Sequence, residues 1–320
     1  MTDISNVSTV STLSRQVIAE VERAVVGKRG LLEMMMASVL AGGHILLEDF
    51  PGLGKTLVAR SFAKVLGLEF KRIQFTPDLL PGDITGGYIF NRTTNQFELR
   101  KGPIFANIIL ADEINRASPK TQSALLEAMQ EGQVTIEGES LPLPEPFLVL
   151  ATQNPIEYEG TFPLPEAQLD RFMLKLAVGY PSIEEEKLIL KRRRERKQDE
   201  VVLRDIATAA TVLEMSNEVE SVHVNADLEN YIATLVHATR VDRRVAVGSS
   251  PRGSLAFLKI SRANAAIDGR DFITPDDIKR YAIPVLGHRV ILQPEYWMAR
   301  QVVDDVIRDT LEKTAVPVVK

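Results

Sequence analysis

The stretch His44-Ile45-Leu46-Leu47-Glu48-Asp49-Phe50-Pro51-Gly52-Leu53-Gly54-Lys55-Thr56 decides the fold. Its first part, His44–Leu47, is a short apolar run of the kind that forms a buried strand. Its second part is glycine-rich and opens a helical pattern over Thr56–Leu66. Strand, glycine loop and helix in that order make a cradle for phosphate. Glycines let backbone N–H groups curl around phosphate oxygens, and the helix N-terminus adds a favourable dipole. In such a loop Lys55 reaches the β- and γ-phosphates of a nucleotide and the Thr56 hydroxyl ligates Mg²⁺. Pro51, Gly52, Leu53, Gly54 and Leu57 complete the binding stretch. The general pattern has glycine at position 49, where this chain has Asp49. Asp tolerates positive φ better than most residues, so the turn is expected to form. A glycine turn followed by an incidental Lys-Thr would not need the flanking strand and helix.

Outward from this loop, apolar runs recur at Phe70–Phe75, Ile108–Ala111, Phe147–Thr152 and Phe172–Val178, with a helical pattern at Pro119–Glu131 between them. Strands alternating with helices predict an α/β fold, a parallel sheet flanked by helices. Two polar excursions interrupt the alternation. Gly86–Lys101 reads as a hairpin with an Asn/Thr-rich tip, and Gly132–Leu143 alternates before a Glu-Gly turn. After Tyr180-Pro181 the pattern turns helical, over Ile183–Lys197, Asp227–Ala238, Pro251–Ile267, Pro275–Ala282 and Glu295–Lys313. Ser250 before Pro251 and Thr274 before Pro275 read as N-caps with Pro at the first helical position. The expected division is an α/β core over 1–180 with two hairpin inserts (about 86–101 and 132–143) and an all-α lid over 181–320.

Two further strand ends carry chemistry. Ile108–Ala111 runs into Asp112-Glu113, which places two carboxylates at the C-terminal edge of a buried strand, beside the phosphate loop. Asp112 fits Mg²⁺ coordination, and Glu113 fits the base that orients or deprotonates an attacking water. Strands often end in surface acids; it is the preceding glycine loop at this spacing that gives the pair meaning. The stretch Leu148–Pro155 is another β-run that ends in a polar tip, with Asn154 able to hydrogen-bond a water or the γ-phosphate, although Asn154-Pro155 by itself is also a common turn.

Composition sets limits. With 320 residues, about two domains are expected. Lys and Arg total 38 and Asp and Glu 43, a net charge of −5, which argues against a broadly basic nucleic-acid surface. The basic run Lys191–Lys197 reads as a solvated helix face. No cysteine is present, so disulfides, cysteine nucleophiles and zinc knuckles are excluded. The four histidines, His44, His223, His237 and His288, form no HExxH pair. The polar N-terminus does not read as a signal peptide, and Leu31–Ala41 is too short for a membrane span. A cytoplasmic protein is expected.

Taken together, these segments resemble the AAA+ ATPases and, more narrowly, their MoxR family. The resemblance extends over Val25–Lys28, His44–Thr56, Arg72–Gly86, Leu110–Glu131, Leu150–Phe172 and Ser250–Gly253. It implies an ATP hydrolase using Mg²⁺, assembled as a homo-oligomeric, hexameric ring with sites between subunits. On that reading Val26 and Gly27 sit near the adenine and Asn154 is the first sensor. Arg252 is the second sensor, reaching from the lid to the γ-phosphate. Arg171 matches the arginine finger given to the neighbouring subunit, with Arg116 as its rival; the plain alternative for either is a surface salt bridge. The hairpins match the family's helix-2 insert and pre-sensor-1 hairpin, where Tyr88, Phe90 and Phe97 would grip a polypeptide or else pack onto the sheet. The resemblance further implies a chaperone that remodels, matures or inserts metal into a client protein, with a von Willebrand factor A-domain partner. Competing readings are a nucleic-acid motor or loader, a nucleotide-dependent scaffold with little turnover, and a magnesium-chelatase-like subunit.

Overall fold

The computed structural model describes residues 4–154, 160–296 and 302–317. Five strands form one parallel sheet: β1 (Ile45–Glu48), β2 (Phe70–Gln74), β5 (Ile108–Asp112), β8 (Leu148–Gln153) and β9 (Leu174–Leu176), in the order β2-β5-β8-β1-β9. The three inner strands are apolar and buried until their last residue, as a parallel sheet covered on both faces requires. The edge strand β2 exposes most of its side chains. Register aligns Gln74 with Asp112 and Glu48 with Gln153, so the C-terminal strand ends share one edge of the sheet.

Between these strands lie α3 (Lys55–Val65), α4 (Pro81–Thr85), α5 (Pro119–Glu131), α6 (Glu166–Leu169) and a 3₁₀ turn over Ile114–Arg116. Both hairpins are present. β3 (Gly86–Asn91) pairs with β4 (Gln96–Lys101), and Asn95 takes positive φ at the turn. β6 (Gln133–Ile136) pairs with β7 (Glu139–Pro142) across Glu137-Gly138, both at positive φ, the backbone of a two-residue hairpin turn. Val134 and Ile136 point into the core, which explains their alternation.

The C-terminal part contains α7 (Ile183–Arg196), α8 (Ala209–Glu220), α9 (Ala226–Val241), α10 (Pro251–Ile267), α11 (Pro275–Arg280), α12 (Ala282–Leu286) and α13 (Val302–Lys313), with β10 (Val245–Val247) and β11 (Ile291–Leu292) as a short antiparallel pair. Ser250 caps α10 by accepting from the Arg252 amide at 3.1 Å, and Thr274 with Asp277 forms a capping box on α11. The expected helix Pro275–Ala282 is broken at Tyr281 into α11 and α12. The expected helix Glu295–Lys313 crosses 297–301, outside the described residues; α13 forms its remainder. α7 buries none of its residues, and its basic end is capped by Lys197 at positive φ.

Two helices precede the sheet, α1 (Ile4–Val21) and α2 (Arg29–Leu40), and pack against α10, α8 and α3. The buried face of α1 is Val7, Val10, Ser11, Ser14, Val17, Ile18 and Val21. This is a complete helical stripe, but two of its positions are serine, so hydropathy alone conceals it. Ser11 donates to the Ile267 carbonyl at 2.8 Å and ties the stripe to α10. Through α1 and α2 one apolar cluster runs from β1 into the C-terminal helices, while a second covers the other sheet face under α5 and the β6–β7 hairpin.

Candidate active site

The loop after β1 is open. Gly52 and Gly54 have φ of 83° and 84°, and a Cβ on either would meet nothing within 4 Å. Backbone conformation, not crowding, demands glycine there. Gly54 caps α3 without any side-chain partner, so the first amides of the helix remain available to an anion. Lys55 Nζ donates to the Asp49 carbonyl at 2.8 Å. With Thr56 beside it, this is a donor set that fits a nucleotide's phosphates.

Asp49 does not take the positive φ expected of it; among the described residues that conformation belongs to Asn95, Glu113, Glu137, Lys197 and glycines. Its role is made by its side chain. With 6% of its surface exposed, it accepts from the amides of Phe50 at 2.8 Å and Gly179 at 2.6 Å.

Register brings Asp112 and Glu113 to the same edge as the loop. Glu113 is held in the left-handed region (φ 57°, ψ 49°), a conformation that costs about 1–2 kcal/mol for a residue with a Cβ. Thr152 supports it: the Glu113 amide donates to Thr152 Oγ1 at 2.8 Å, and that hydroxyl donates to Asp112 Oδ1 at 2.6 Å. Glu113 Oε2 accepts from Gln74 Nε2 at 2.7 Å and lies 3.3 Å from Arg116 Nε. Arg72 donates from Nε and one terminal nitrogen to Asp112 Oδ2, at 3.0 and 2.6 Å. Asn154, 8% exposed, follows β8 at this edge. Thr56 and Asp112 fit a divalent cation by chemistry, a hydroxyl and a carboxylate beside the phosphate loop. Sequence reasoning did not single out Arg72, Gln74 or Thr152. Pairing Gln74 with Asp112 in adjacent strands is the signal that finds the first two, and it requires the strand order.

Val26 and Gly27 lie before α2. Gly27 has φ 71°, and its missing Cβ leaves the space taken by the Glu185 carboxylate, 1.9 Å from where that atom would stand. Leu57, on the first turn of α3, is 48% exposed.

Two expected site residues stand elsewhere. Arg171, just before β9, and Arg252, on the first turn of α10, line one cleft together with Gln130, Asp170, Lys259 and Arg289. Arg252 lies 4.0 Å from Asp170 and reaches Gln130 Oε1 at 3.5 Å. Nε of Arg171 is buried without a hydrogen-bond partner among the described residues. The Met173 amide donates to the His44 carbonyl, so this cleft adjoins the N-terminal ends of β1 and β9. A four-residue strand spans about 13 Å, which puts the cleft on the sheet edge opposite the phosphate loop. Arg252, expected to reach from the lid to the γ-phosphate, stands within this chain at the far edge, beside Asp170 and Gln130. Arg116 stands on its own chain's Glu113 instead.

Arg289, absent from the sequence reading, anchors this cleft. Its side chain is 2% exposed and donates to Asp170 Oδ1 at 2.8 Å and to the carbonyls of Phe172 and Met173 at 2.5 and 3.1 Å. The hairpin aromatics do not pack onto the sheet. Phe90 and Phe97 meet edge-to-face at 5.3 Å across the hairpin, both exposed, and Tyr88 donates to Glu139 on the neighbouring hairpin at 2.6 Å.

Two histidines are structural. His44 accepts from the Val149 amide at Nδ1 and meets the Met129 carbonyl through Nε2; burial pushes its pKa down to about 4. His288 contacts the Phe172 carbonyl, and burial together with the Arg289 charge holds it well below the usual imidazole range. Among the described residues no helix is long and apolar enough to cross a membrane.

Comparison with known proteins gives consistent matches. The model of the ATPase family associated with various cellular activities matches residues 44–174, and an AAA lid domain model matches 237–318. The chain is 48% identical over 301 residues to YeaC of Bacillus subtilis, covering 94% of each chain. It is 43% identical over 317 residues to the chaperone MoxR1 of Mycobacterium tuberculosis, covering 96% of this chain and 83% of that protein. A crystal structure of a Cytophaga hutchinsonii protein superposes with a TM-score of 0.92 at 42% identity, covering 98% of this chain and 97% of that one.

Proposed function

The chain belongs to the MoxR family of AAA+ ATPases, and from that premise we propose that it hydrolyses Mg-ATP at sites shared between two copies of itself and uses the cycle to remodel a client protein. The observation that carries the reading is the separation of the two halves of the site. Lys55, Thr56, Asp112 and Glu113 lie at one edge of the sheet, and Arg171 and Arg252 lie in a cleft at the other. One chain in this arrangement does not surround a γ-phosphate with positive charge, whereas the far edge of a second copy supplies the missing arginines. Repetition of such a head-to-tail contact closes a ring, and a six-membered one is the form proposed.

Phosphoryl transfer asks little covalent work of the protein, so rate comes from positioning and charge. Lys55 and the amides opening α3 hold the phosphates. Glu113, fixed by Thr152, orients the attacking water and takes its proton, and Asn154 hydrogen-bonds the water or the γ-phosphate. Thr56 and Asp112 would hold Mg²⁺, which would supply charge neutralisation at the phosphate oxygens. The neighbour's Arg171 stabilises charge that develops on the transferred group, with Arg252 beside it. Val26 and Gly27 border the base.

The exposed aromatics of the β3–β4 hairpin support a polypeptide as the substrate of remodelling, since Phe90 and Phe97 remain on the surface. A partner with a von Willebrand factor A domain and a role in metal insertion extend the same reading, supported by family resemblance. Release of phosphate by the purified protein with Mg-ATP tests the activity. Glu113→Gln is expected to retain ATP and leave it unhydrolysed; normal hydrolysis by that variant would refute the assignment of the base.

A further inference from the structure

The first turn of α5 carries two polar side chains, Thr121 and Gln122, both fully buried. Thr121 Oγ1 donates to the Leu79 carbonyl, in the segment after β2, at 2.7 Å. Gln122 reaches further. Its side-chain nitrogen donates to the carbonyls of Ile114 and Ala117 at 3.2 Å each and to that of Phe162 at 2.8 Å. Two N–H groups serve three acceptors, so one N–H is shared. The three carbonyls also fix which way the amide faces, because its oxygen in that place would meet acceptors only. That oxygen is buried and has no hydrogen-bond partner among the described residues, an arrangement that costs stability. Stability alone therefore does not account for this amide, and the segments it holds suggest what does.

Ile114 and Ala117 bracket the 3₁₀ turn that follows Glu113. The chain enters the turn through Glu113 in the left-handed conformation, which persists in a residue with a Cβ only where its surroundings hold it. Thr152 holds the Glu113 amide from the side of the sheet. On the other side the Glu113 carbonyl accepts from the Arg116 amide at 2.9 Å, and the next carbonyl, that of Ile114, accepts from Gln122. The same side chain ties in the segment that follows Asn154. There Phe162 donates its amide to the Asn115 carbonyl at 2.6 Å, while its own carbonyl accepts from Gln122. We propose that Gln122 is a positioning residue for Glu113, locking the turn that aims its carboxylate to the Phe162 segment. The inference rests on the reading of Glu113 as the base and names a side chain, outside the reacting groups, on which that base depends.

Gln122→Met keeps the length of the side chain and removes both N–H groups. ATP retention is measured with radiolabelled ATP on filters, and turnover by phosphate release at a temperature where the variant is folded. The variant is expected to retain ATP with a similar KM and to lower kcat about tenfold or more, since three buried carbonyls lose a donor. Adding Gln122→Met to Glu113→Gln separates positioning of the carboxylate from a general loosening of the site. The double variant is expected to retain ATP as Glu113→Gln does, within about twofold. An unaltered kcat in Gln122→Met overturns the proposal, as does loss of ATP retention in either background. Normal hydrolysis by Glu113→Gln itself overturns instead the assignment of the base.

Should Gln122→Met fail to fold, hydrogen exchange on the unmodified protein decides the matter. The amides of Glu113 and Phe162 are expected to be protected alike, within about tenfold, because the turn and the Phe162 segment open together. A larger gap between them shows that one opens without the other and contradicts the proposal.

Discussion

Arg289 donates from Nε to Asp170 at 2.8 Å, so a buried lid side chain grips the residue that precedes Arg171. Ser250, at the start of the helix that carries Arg252, donates to the other oxygen of Asp170 at 2.7 Å. The two arginines at the far edge are thus referred to one carboxylate, which ties the lid to the segment that carries Arg171. Replacing Arg289 with Met removes the buried charge partner of Asp170, which keeps Ser250, and one of the two contacts of the Phe172 carbonyl, which keeps His288. Removing one member of such a pair costs about 3–5 kcal/mol. Thermal unfolding of Arg289→Met is expected at a clearly lower midpoint, with hydrolysis falling as Arg171 loses its support.

Arg72 stands on Asp112 Oδ2, an oxygen of the carboxylate proposed to hold the cation. It is half exposed, and an exposed pair is worth up to about 1 kcal/mol, or roughly fivefold in affinity. Arg72→Ala is expected to lower the Mg²⁺ concentration for half-maximal hydrolysis by up to that factor. A magnesium titration of phosphate release checks it; an increase in the requirement shows that Arg72 supports the metal site and does not compete with it.

Gly27→Ala meets two obstacles. Positive φ costs a residue with a Cβ about 1–2 kcal/mol, and the Glu185 carboxylate occupies the new atom's place. The carboxylate is the end of a flexible chain and can swing away, whereas the backbone term stays. Unfolding midpoints are expected to fall in Gly27→Ala and to recover only in part when Glu185→Ala is added.

Much of this site was readable from residues alone, because its near half is built from segments whose chemistry is local. The glycine loop, Asp112-Glu113 and Asn154 each follow an apolar strand, so strand ends and site coincide. What escaped depends on relations between distant segments. Gln74 and Arg72 acquire meaning only when β2 is seen to lie beside β5. Arg289 lies 119 residues from its partner Asp170, and nothing in its own neighbourhood marks it. Backbone propensity speaks only to the turn at Asp49, whereas its carboxylate accepts from the amide of Gly179, 130 residues away. The resemblance sets Arg252 at a γ-phosphate without saying which copy holds it, and the bond from Ser250, at the start of α10, to Asp170 sets it at the far edge of its own chain. α1 was hidden by two serines in its buried stripe.

Acid is expected to destabilise the fold through its buried imidazoles. The His44 pKa is about 4 in the folded chain against about 6.5 when unfolded, so the unfolded chain binds the extra proton between those values. The stabilising effect of a neutral His44 is complete above about pH 6.5 and declines as pH falls toward 4, by about 1.4 kcal/mol per pH unit. His288, shifted in the same direction, adds to the slope. Chemical unfolding at pH 7.5 and 5.5 checks this, and His44→Gln is expected to flatten the profile even if it lowers stability at pH 7.5.

The most direct test of a site shared between copies mixes two inactive proteins. Glu113→Gln lacks the base but keeps its arginines; Arg171→Ala lacks the arginine but keeps the loop and the base. An arginine finger is worth about 10³–10⁵ in turnover, whereas a surface salt bridge is worth under about 1 kcal/mol. Each variant alone is expected to bind ATP and release almost no phosphate. Mixed in equal amounts, they should regain hydrolysis, because Arg171 of one copy completes the loop of the other. A mixture as inactive as its parts, under conditions in which the two are shown to co-assemble, would contradict the shared site.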